Sequence, residues 1–145
     1  MWTDITNDAQ IEELQLTYGH FHDSCLRDIY ISTKDFVDKQ RAMISTNAVT
    51  ARLLFQRQTK IDPVLELKFD DVRRFNFQTL PDNYSAVIYD VTLKLENGLF
   101  YWADFENWDI TDFDKGDSDS IWICGQKLSW RLRPDLLGNI IRVDE

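Results

Sequence analysis

The chain of 145 residues carries a net charge of −9 at neutral pH, and 43% of its residues are hydrophobic. This length suits one domain, predicted to span residues 1–145, and the acidic balance disfavours binding to nucleic acid or to anionic membranes. The sequence shows neither a transmembrane run of roughly 20 apolar residues nor a signal peptide, so we expect a cytoplasmic protein.

The first predicted element is a helix near the N-terminus. Residues 6–8 (Thr-Asn-Asp) supply N-cap side chains, and Gly19 supplies a stop signal. Three residues between them recur at the spacing of one helical face and should pack on the core: Ile11, Leu14 and Tyr18.

Strands are predicted from residue 26 onward, where apolar and polar side chains begin to alternate. In the first strand, residues 26–33, strict alternation places Ile29 on the same face as Arg27 and opposite to Leu26. Residues 34–46 fit either a loop or a short helix.

Two further alternating segments predict a β-hairpin. Residues 49–56 and 64–69 are joined by a turn at residues 60–63. One face of this hairpin is apolar and the other polar, and Glu66 falls on the polar face, where we expect it to meet solvent.

The strongest local signal is the alternation in residues 87–96, which places Tyr89 on the core side of a strand. The Asn-Gly pair at residues 97–98 is typical of a two-residue type I′ turn. A hairpin with that turn pairs Leu93 with Trp102.

Residues 121–132 predict a last hairpin that turns at Gly125-Gln126 and pairs Ile123 with Leu128. Together these segments predict an α+β fold that is mostly antiparallel β, with one N-terminal helix and about six strands in hairpins.

Both histidines lie in the segment YGHFHDSC, residues 18–25. His20 and His22 would share one face of an extended segment, which could begin a metal site. The chain has no third histidine, so Asp104 and Glu106 would have to complete the ligand set. Zinc or iron bound in this way would suit a metal-assisted hydrolase, but we favour no metal and no other cofactor.

The same segment also fits a structural corner, which is the interpretation we favour. Asp23 and Ser24 would bond to nearby backbone N–H groups between the helix and the first strand, with His22 packed beneath. A nucleophilic site is disfavoured because Cys25 and His22 would point to opposite faces of an extended chain.

Residues 104–119 are strongly acidic, with seven acidic residues against Lys115 alone. They could bind a cation such as Ca²⁺, receive the lysines and arginines of a basic protein partner, or form a solvated loop. Carboxylates that break the apolar pattern of a strand often mark functional sites. The predicted binding residues are Trp102, Asp104, Glu106, Trp108, Asp109, Asp112, Asp114 and Asp117.

Three tryptophans suggest another possibility, a stacking platform for sugars. They are Trp102, Trp108 and Trp122. Trp102 should lie in the core because it alternates with outward residues, whereas Trp122 falls on the other face and is the better candidate for exposure.

Several short motifs resemble a known group of proteins. HDS is followed by the strand CLRDIYIS, by LLFQ, by LELKFDDVRRF and by G-x-x-L-x-W. This layout resembles small uncharacterised bacterial β-rich proteins with an N-terminal HD[SA] motif, which are related to predicted immunity proteins of polymorphic toxin systems. The matching positions are His22, Asp23, Ser24, Phe69, Val72, Gly125 and Trp130.

The resemblance implies a non-enzymatic domain that binds another protein. An acidic domain would associate rapidly with a basic toxin, so our leading hypothesis is an immunity-like, protein-binding module that uses residues 104–119. The alternatives are the metal-assisted hydrolase and a carbohydrate-binding module with surface tryptophans.

Overall fold

The computed structural model describes residues 1–111 and 120–142, and the fold is α+β with mostly antiparallel strands, as predicted. Helix α1 spans Asp8–Thr17, and short 3₁₀ turns lie at Gly19–Phe21 and Pro134–Leu136. The strands in the described residues are β1 (Thr3–Ile5), β2 (Ser24–Ser32), β3 (Phe36–Val37), β4 (Met43–Ile44), β5 (Thr50–Arg57), β6 (Val64–Asn76), β7 (Thr92–Glu96), β8 (Leu99–Ala103) and β9 (Trp122–Leu132).

In the part of the chain that the structure describes, the main sheet has seven antiparallel strands. Six of them follow the order β2-β5-β6-β9-β8-β7, and β1 pairs with β9. Strand β8 pairs with the first part of β9, at residues 122–125, whereas β1 pairs with its later part, at residues 128–130. Strand β9 therefore lies at the centre of the sheet and joins its two halves.

The sheet curls until its two edges approach each other. Ser24, at the start of β2, forms a bridge with Ile88, which precedes the other edge strand, β7. The Ile88 N–H donates to the Ser24 carbonyl at 2.7 Å, and the Asp23 N–H donates to the Ile88 carbonyl at 2.9 Å. Elements that are distant in the strand order are thus neighbours in space.

Helix α1 begins and ends where the sequence predicts. The Asn7 side chain caps it by accepting a hydrogen bond from the Gln10 N–H at 2.9 Å. Gly19 follows with a φ of +57°, and a Cβ there would lie 3.0 Å from the Arg57 guanidinium, so glycine suits this position on both counts. The predicted core face is confirmed, because its three side chains are buried: Ile11, Leu14 and Tyr18.

The main core lies between α1 and the concave face of the sheet. An aromatic cluster occupies its centre, where the Phe21 and Phe55 rings meet edge to face at 4.9 Å and the Trp102 ring lies 5.1 Å from that of Phe55. Such contacts add to the stabilisation from burying the rings. Trp102 is thus anchored by the core behind it.

Strand β2 departs from strict alternation. A β-bulge between Leu26 and Asp28 shifts its register against β5, so that Leu26 lies opposite Phe55 and Ile29 lies opposite Leu53. Leu26 and Ile29 therefore both face the core side, and the predicted placement of Leu26 on the opposite face is wrong.

The hairpin around residues 97–98 is confirmed in its turn and register, with Leu93 opposite Trp102. Its first strand begins only at Thr92, however. Upstream, Ile88 is buried and Tyr89 is 72% exposed, so the predicted alternation is reversed there. The bridge from Ile88 to β2 holds this segment away from a regular ladder.

The predicted hairpin in residues 121–132 is wrong, because Trp122–Leu132 is the single strand β9. Gly125 is not a turn residue. A Cβ at Gly125 would lie 3.0 Å from the carbonyl oxygen of Asp70, where β6 is bulged, so glycine allows the two backbones to approach.

The ambiguous segment 34–46 forms a small hairpin of β3 and β4. The Asp38 carboxylate shapes its turn by accepting hydrogen bonds from the N–H groups of Gln40 and Ala42, each at 2.9 Å. Among the described residues, no helix has the length and apolar character required to cross a membrane.

Candidate functional site

A pocket of about 480 Å³ lies where the curl of the sheet brings β2 near β8 and the start of β9. Its volume falls within the range of roughly 300–1,000 Å³ that is typical of small-molecule sites. We call it the Asp104 pocket. Four separate segments line it, and most of the side chains are apolar: Leu26, Arg27, Ile29, Phe77, Gln78, Thr79, Leu80, Ala86, Ile88, Trp102, Asp104 and Ile121.

Asp104 lies in this pocket just beyond the end of β8, where the chain leaves the sheet. Its N–H donates to the Ile121 carbonyl at 3.1 Å, and its carboxylate accepts from the Ile121 N–H at 2.9 Å. These two bonds fix the carboxyl group at the point where β8 and β9 diverge. Burial raises the pKa of Asp104 to about 6, although the Ile121 N–H opposes the shift.

Trp102 contributes a large aromatic side chain to the pocket wall. The side chain is fully buried, and its indole Nε1–H has no hydrogen-bond acceptor among the described residues. Buried N–H groups are nearly always paired, so this enclosed N–H is an exception within the core.

The outer wall of the pocket is the connection between β6 and β7. Its pocket-lining side chains include Phe77 and Leu80, which are 54% and 49% exposed. Apolar side chains that remain half-exposed beside a cavity enlarge the hydrophobic surface offered to a ligand. The bridge at Ile88 anchors the far end of this wall to β2.

The predicted acidic residues do not share one role. Glu106 is exposed, as a partner-binding residue must be. Asp109 accepts hydrogen bonds from the Thr111 N–H and from Lys94 at 2.9 and 3.0 Å, and these lower the pKa of Asp109 to about 2. The remaining predicted acids lie outside the described residues: Asp112, Asp114 and Asp117.

The predicted tryptophan platform does not lie on the surface. Trp108 and Trp122 are only 3% and 1% exposed, and their rings pack 4.9 Å apart on the face of the sheet opposite α1. The expectation that Trp122 is exposed is wrong, because the segment after β8 folds back and places Trp108 over it. With Trp102 also buried, these three side chains offer no exposed stacking surface for sugars.

The HDS segment is a corner, but its bonds differ from the predicted ones. Ser24 donates to the carbonyl of Phe21 at 2.5 Å rather than bonding to a backbone N–H. His22 does not pack beneath the corner: its imidazole is 58% exposed and contacts the Tyr89 carbonyl through Nδ1 at 2.8 Å. The corner therefore ties β2 to the segment before β7.

The alternative metal site is not formed. Its four predicted ligands all lie in the described part of the chain, namely His20, His22, Asp104 and Glu106. In that part of the chain, no three His, Cys, Asp or Glu side chains are placed so that they could hold a metal ion.

Glu66 is the polar residue that sequence reasoning most misjudged. It lies on the convex face, yet it is fully buried beneath three arginines and the C-terminal segment. Arg131 contacts its carboxylate at 2.7 Å, Arg142 at 2.5 Å and Arg133 at 3.7 Å. The Gln56 side chain holds the same segment by donating to two backbone carbonyls. Glu66 and Gln56 together therefore position the C-terminal segment against the sheet.

Sequence reasoning selected Trp102 and Asp104 but missed the rest of the pocket. The useful signal was the break in apolar alternation at Asp104. A second signal was available in the connection after β6, where Phe77, Leu80 and Ile88 are unusually apolar for a surface loop.

Comparison of the chain with models of protein families, with curated proteins and with solved structures found no match.

Proposed function

We propose that this protein binds a small, largely apolar molecule in the Asp104 pocket. The observation that carries the proposal is an apolar cavity whose wall holds the Asp104 carboxyl group, fixed in place by the hydrogen bond it accepts from the Ile121 N–H. A concave apolar site with few polar groups, one of them with a displaced pKa, is the usual form of a ligand site.

The construction of the pocket supports this function. Trp102 is held by the aromatic core behind it, and Asp104 is held by two bonds to Ile121, so both side chains are positioned before a ligand arrives. Preorganised groups bind more tightly because less side-chain motion is lost on binding.

Titration with the neutral fluorescent probe N-phenyl-1-naphthylamine tests the proposal. We expect one saturable site per chain. Ala86→Trp, which adds bulk at the pocket wall, should weaken binding at least tenfold, whereas Ala9→Trp, the same change on the exposed surface of α1, should not.

Ile121→Trp fills the pocket from the opposite side. It controls for the case in which the new side chain at position 86 turns away from the cavity and leaves the pocket open. Circular dichroism checks the fold of each variant. Saturable binding that survives both pocket-filling changes, or no saturable binding at all, would contradict the proposal.

A basic protein partner is the second candidate, and the outward surface of α1 favours it. That surface carries Asp8, Glu12 and Glu13, and the helix contains no basic residue. Together with exposed Glu106 and the net charge of −9, this surface would attract a cationic protein.

Affinity capture at low and high salt tests this candidate. We expect a basic protein to be retained at low salt and lost both at high salt and with the combined variant Glu12→Lys, Glu13→Lys and Glu106→Lys. Asp4→Lys controls for charge reversal elsewhere on the surface. Capture that is equal in the triple variant and the native chain would contradict the candidate.

A further inference from the structure

We infer that the ligand of the Asp104 pocket is an apolar amine whose ammonium group pairs with the Asp104 carboxylate. This inference rests on the proposed function and adds the chemical class of the ligand.

Among the described residues, the Asp104 carboxylate lacks a cationic partner. Asp104 accepts a hydrogen bond from the Ile121 N–H, but no Lys, Arg or His side chain among the described residues pairs with it. Arg27 also lines the pocket, yet its guanidinium contacts Asp28 at 2.5 Å and donates to the Ile140 carbonyl at 2.7 Å. Within residues 1–111 and 120–142, the carboxylate thus lies between apolar walls with no paired cation.

An unpaired carboxylate between apolar walls is unfavourable in free energy. A charge removed from water is unfavourable unless an opposite charge or hydrogen bonds compensate for it. Burial raises the pKa of Asp104 accordingly, but to about 6, so the group is still ionised at neutral pH. A ligand ammonium would supply the charge-assisted hydrogen bond that no described side chain makes to Asp104.

The remaining walls of the pocket are mostly aromatic and aliphatic. The aromatic rings of Phe77 and Trp102 line the same cavity, and the faces of aromatic rings attract cations. The aliphatic walls then accommodate an alkyl or aryl body, for which each added methylene should tighten binding about fourfold.

The charges of the chain and of Asp104 should favour amines over alcohols and carboxylates. Net charge −9 favours the approach of cations and disfavours that of anions. A carboxylate ligand would place two like charges in the pocket, whereas a neutral alcohol would gain a hydrogen bond without the ionic attraction. The expected order of affinity is therefore amine, alcohol, carboxylate.

Displacement of N-phenyl-1-naphthylamine by three ligands of equal chain length tests the inference at neutral pH. We expect hexylamine to displace the probe at a concentration at least about tenfold lower than hexanol, since one charge-assisted hydrogen bond supplies a difference of that size. Hexanoate should be the weakest competitor.

Asp104→Asn provides the decisive variant, because the amide can still accept from the Ile121 N–H. We expect it to abolish the preference for the amine, so that hexylamine and hexanol displace the probe from the variant at similar concentrations. Glu106→Gln removes the same charge from a nearby exposed position and should keep the preference.

The outcomes separate the two proposals. A protein that binds neither the probe nor hexanol contradicts the proposed function itself. A protein that binds both, but takes hexylamine no better than hexanol, contradicts only the amine inference, as does an amine preference that survives Asp104→Asn.

Discussion

At the scale of single residues, Asp104 shows how neighbouring backbone groups and apolar surroundings together determine the pKa of one carboxyl group. The backbone bonds to Ile121 fix its carboxyl at the divergence of β8 and β9, and the apolar pocket removes part of its hydration. The resulting pKa of about 6 lies above that of an Asp in an unfolded chain, near 4. The folded protein therefore holds the Asp104 proton more tightly than the unfolded chain does.

This pKa difference predicts a pH-dependent contribution to stability. Between about pH 4 and 6 the folded state binds more protons than the unfolded state, so the contribution of Asp104 falls as pH rises and is lost above pH 6. With allowance for solvent screening of the half-buried group, we expect a loss of about 1–2 kcal/mol.

Urea denaturation of the native chain and Asp104→Asn, from pH 4 to 7, measures this contribution. The stability of the variant relative to the native chain should increase over that interval, because the amide does not titrate. A constant difference between the two proteins would contradict the assignment of the pKa.

Glu66 gives the second residue-scale prediction. Its buried carboxylate balances Arg131, Arg133 and Arg142, so Glu66→Gln should leave excess positive charge in a dry environment. We expect a loss of about 3 kcal/mol in the free energy of unfolding. Asp135→Asn removes a charge that also contacts Arg133, but at an exposed site, and should cost less than about 1 kcal/mol.

Chemical denaturation compares the two variants, and limited proteolysis after residue 133 reports whether the C-terminal segment is released. Equal stability of Glu66→Gln and Asp135→Asn would contradict the role assigned to Glu66.

At the scale of elements, features set by local chemistry were predictable from the sequence. The Asn7 cap, the Gly19 stop and the Asn97-Gly98 turn each depend on residues within a few positions along the chain, and each was confirmed. The bulge in β2 and the run of β9 through Gly125 depend instead on the strand that lies alongside. Alternation along one strand cannot reveal such contacts, so both were mispredicted.

The close approach of β6 and β9 at Gly125 can be tested by adding a single methyl group. In Gly125→Ala the new methyl group would meet the carbonyl of Asp70 and the Cα of Val72, and backbone atoms cannot rotate away. We expect a loss of about 2–3 kcal/mol, as for overpacked core positions.

Gly98→Ala is the matched control for Gly125→Ala. Apart from its two chain neighbours, no described residue has a heavy atom within 4 Å of the added Cβ, so the positive φ of 78° is what opposes the change. Its cost should be nearer to about 1 kcal/mol. Thermal unfolding of both variants measures the difference, and a Gly125→Ala protein as stable as the native chain would contradict the close approach of β6 and β9.

At the scale of the whole molecule, the curl of the sheet creates the pocket. Residues from β2, from the connection after β6 and from β8 converge beside the bridge between Ile88 and Ser24. Such convergence is a property of the complete fold. The sequence therefore pointed to Asp104 and Trp102 individually but not to the walls around them.

Ile88→Ala tests this closure. The variant keeps the backbone bridge to Ser24 but removes the buried side chain that lines the pocket beside it, so we expect a stability loss of about 2–3 kcal/mol. Affinity for N-phenyl-1-naphthylamine should fall as well. Tyr89→Ala, the next residue and 72% exposed, should alter stability by less than about 0.5 kcal/mol. Similar effects of the two changes would contradict the closing role of Ile88.

The origin of the two sides of the pocket has a consequence for how the protein could diversify. The inner side, with Trp102 and Ile29, belongs to strands whose packing the whole core constrains. The outer side, residues 77–86, lies outside the sheet and is largely exposed. Substitutions there change the shape of the cavity while the scaffold stays intact. If the pocket binds ligands as proposed, replacing residues 77–86 would give a set of proteins that share the Asp104 carboxylate but bind different ligands.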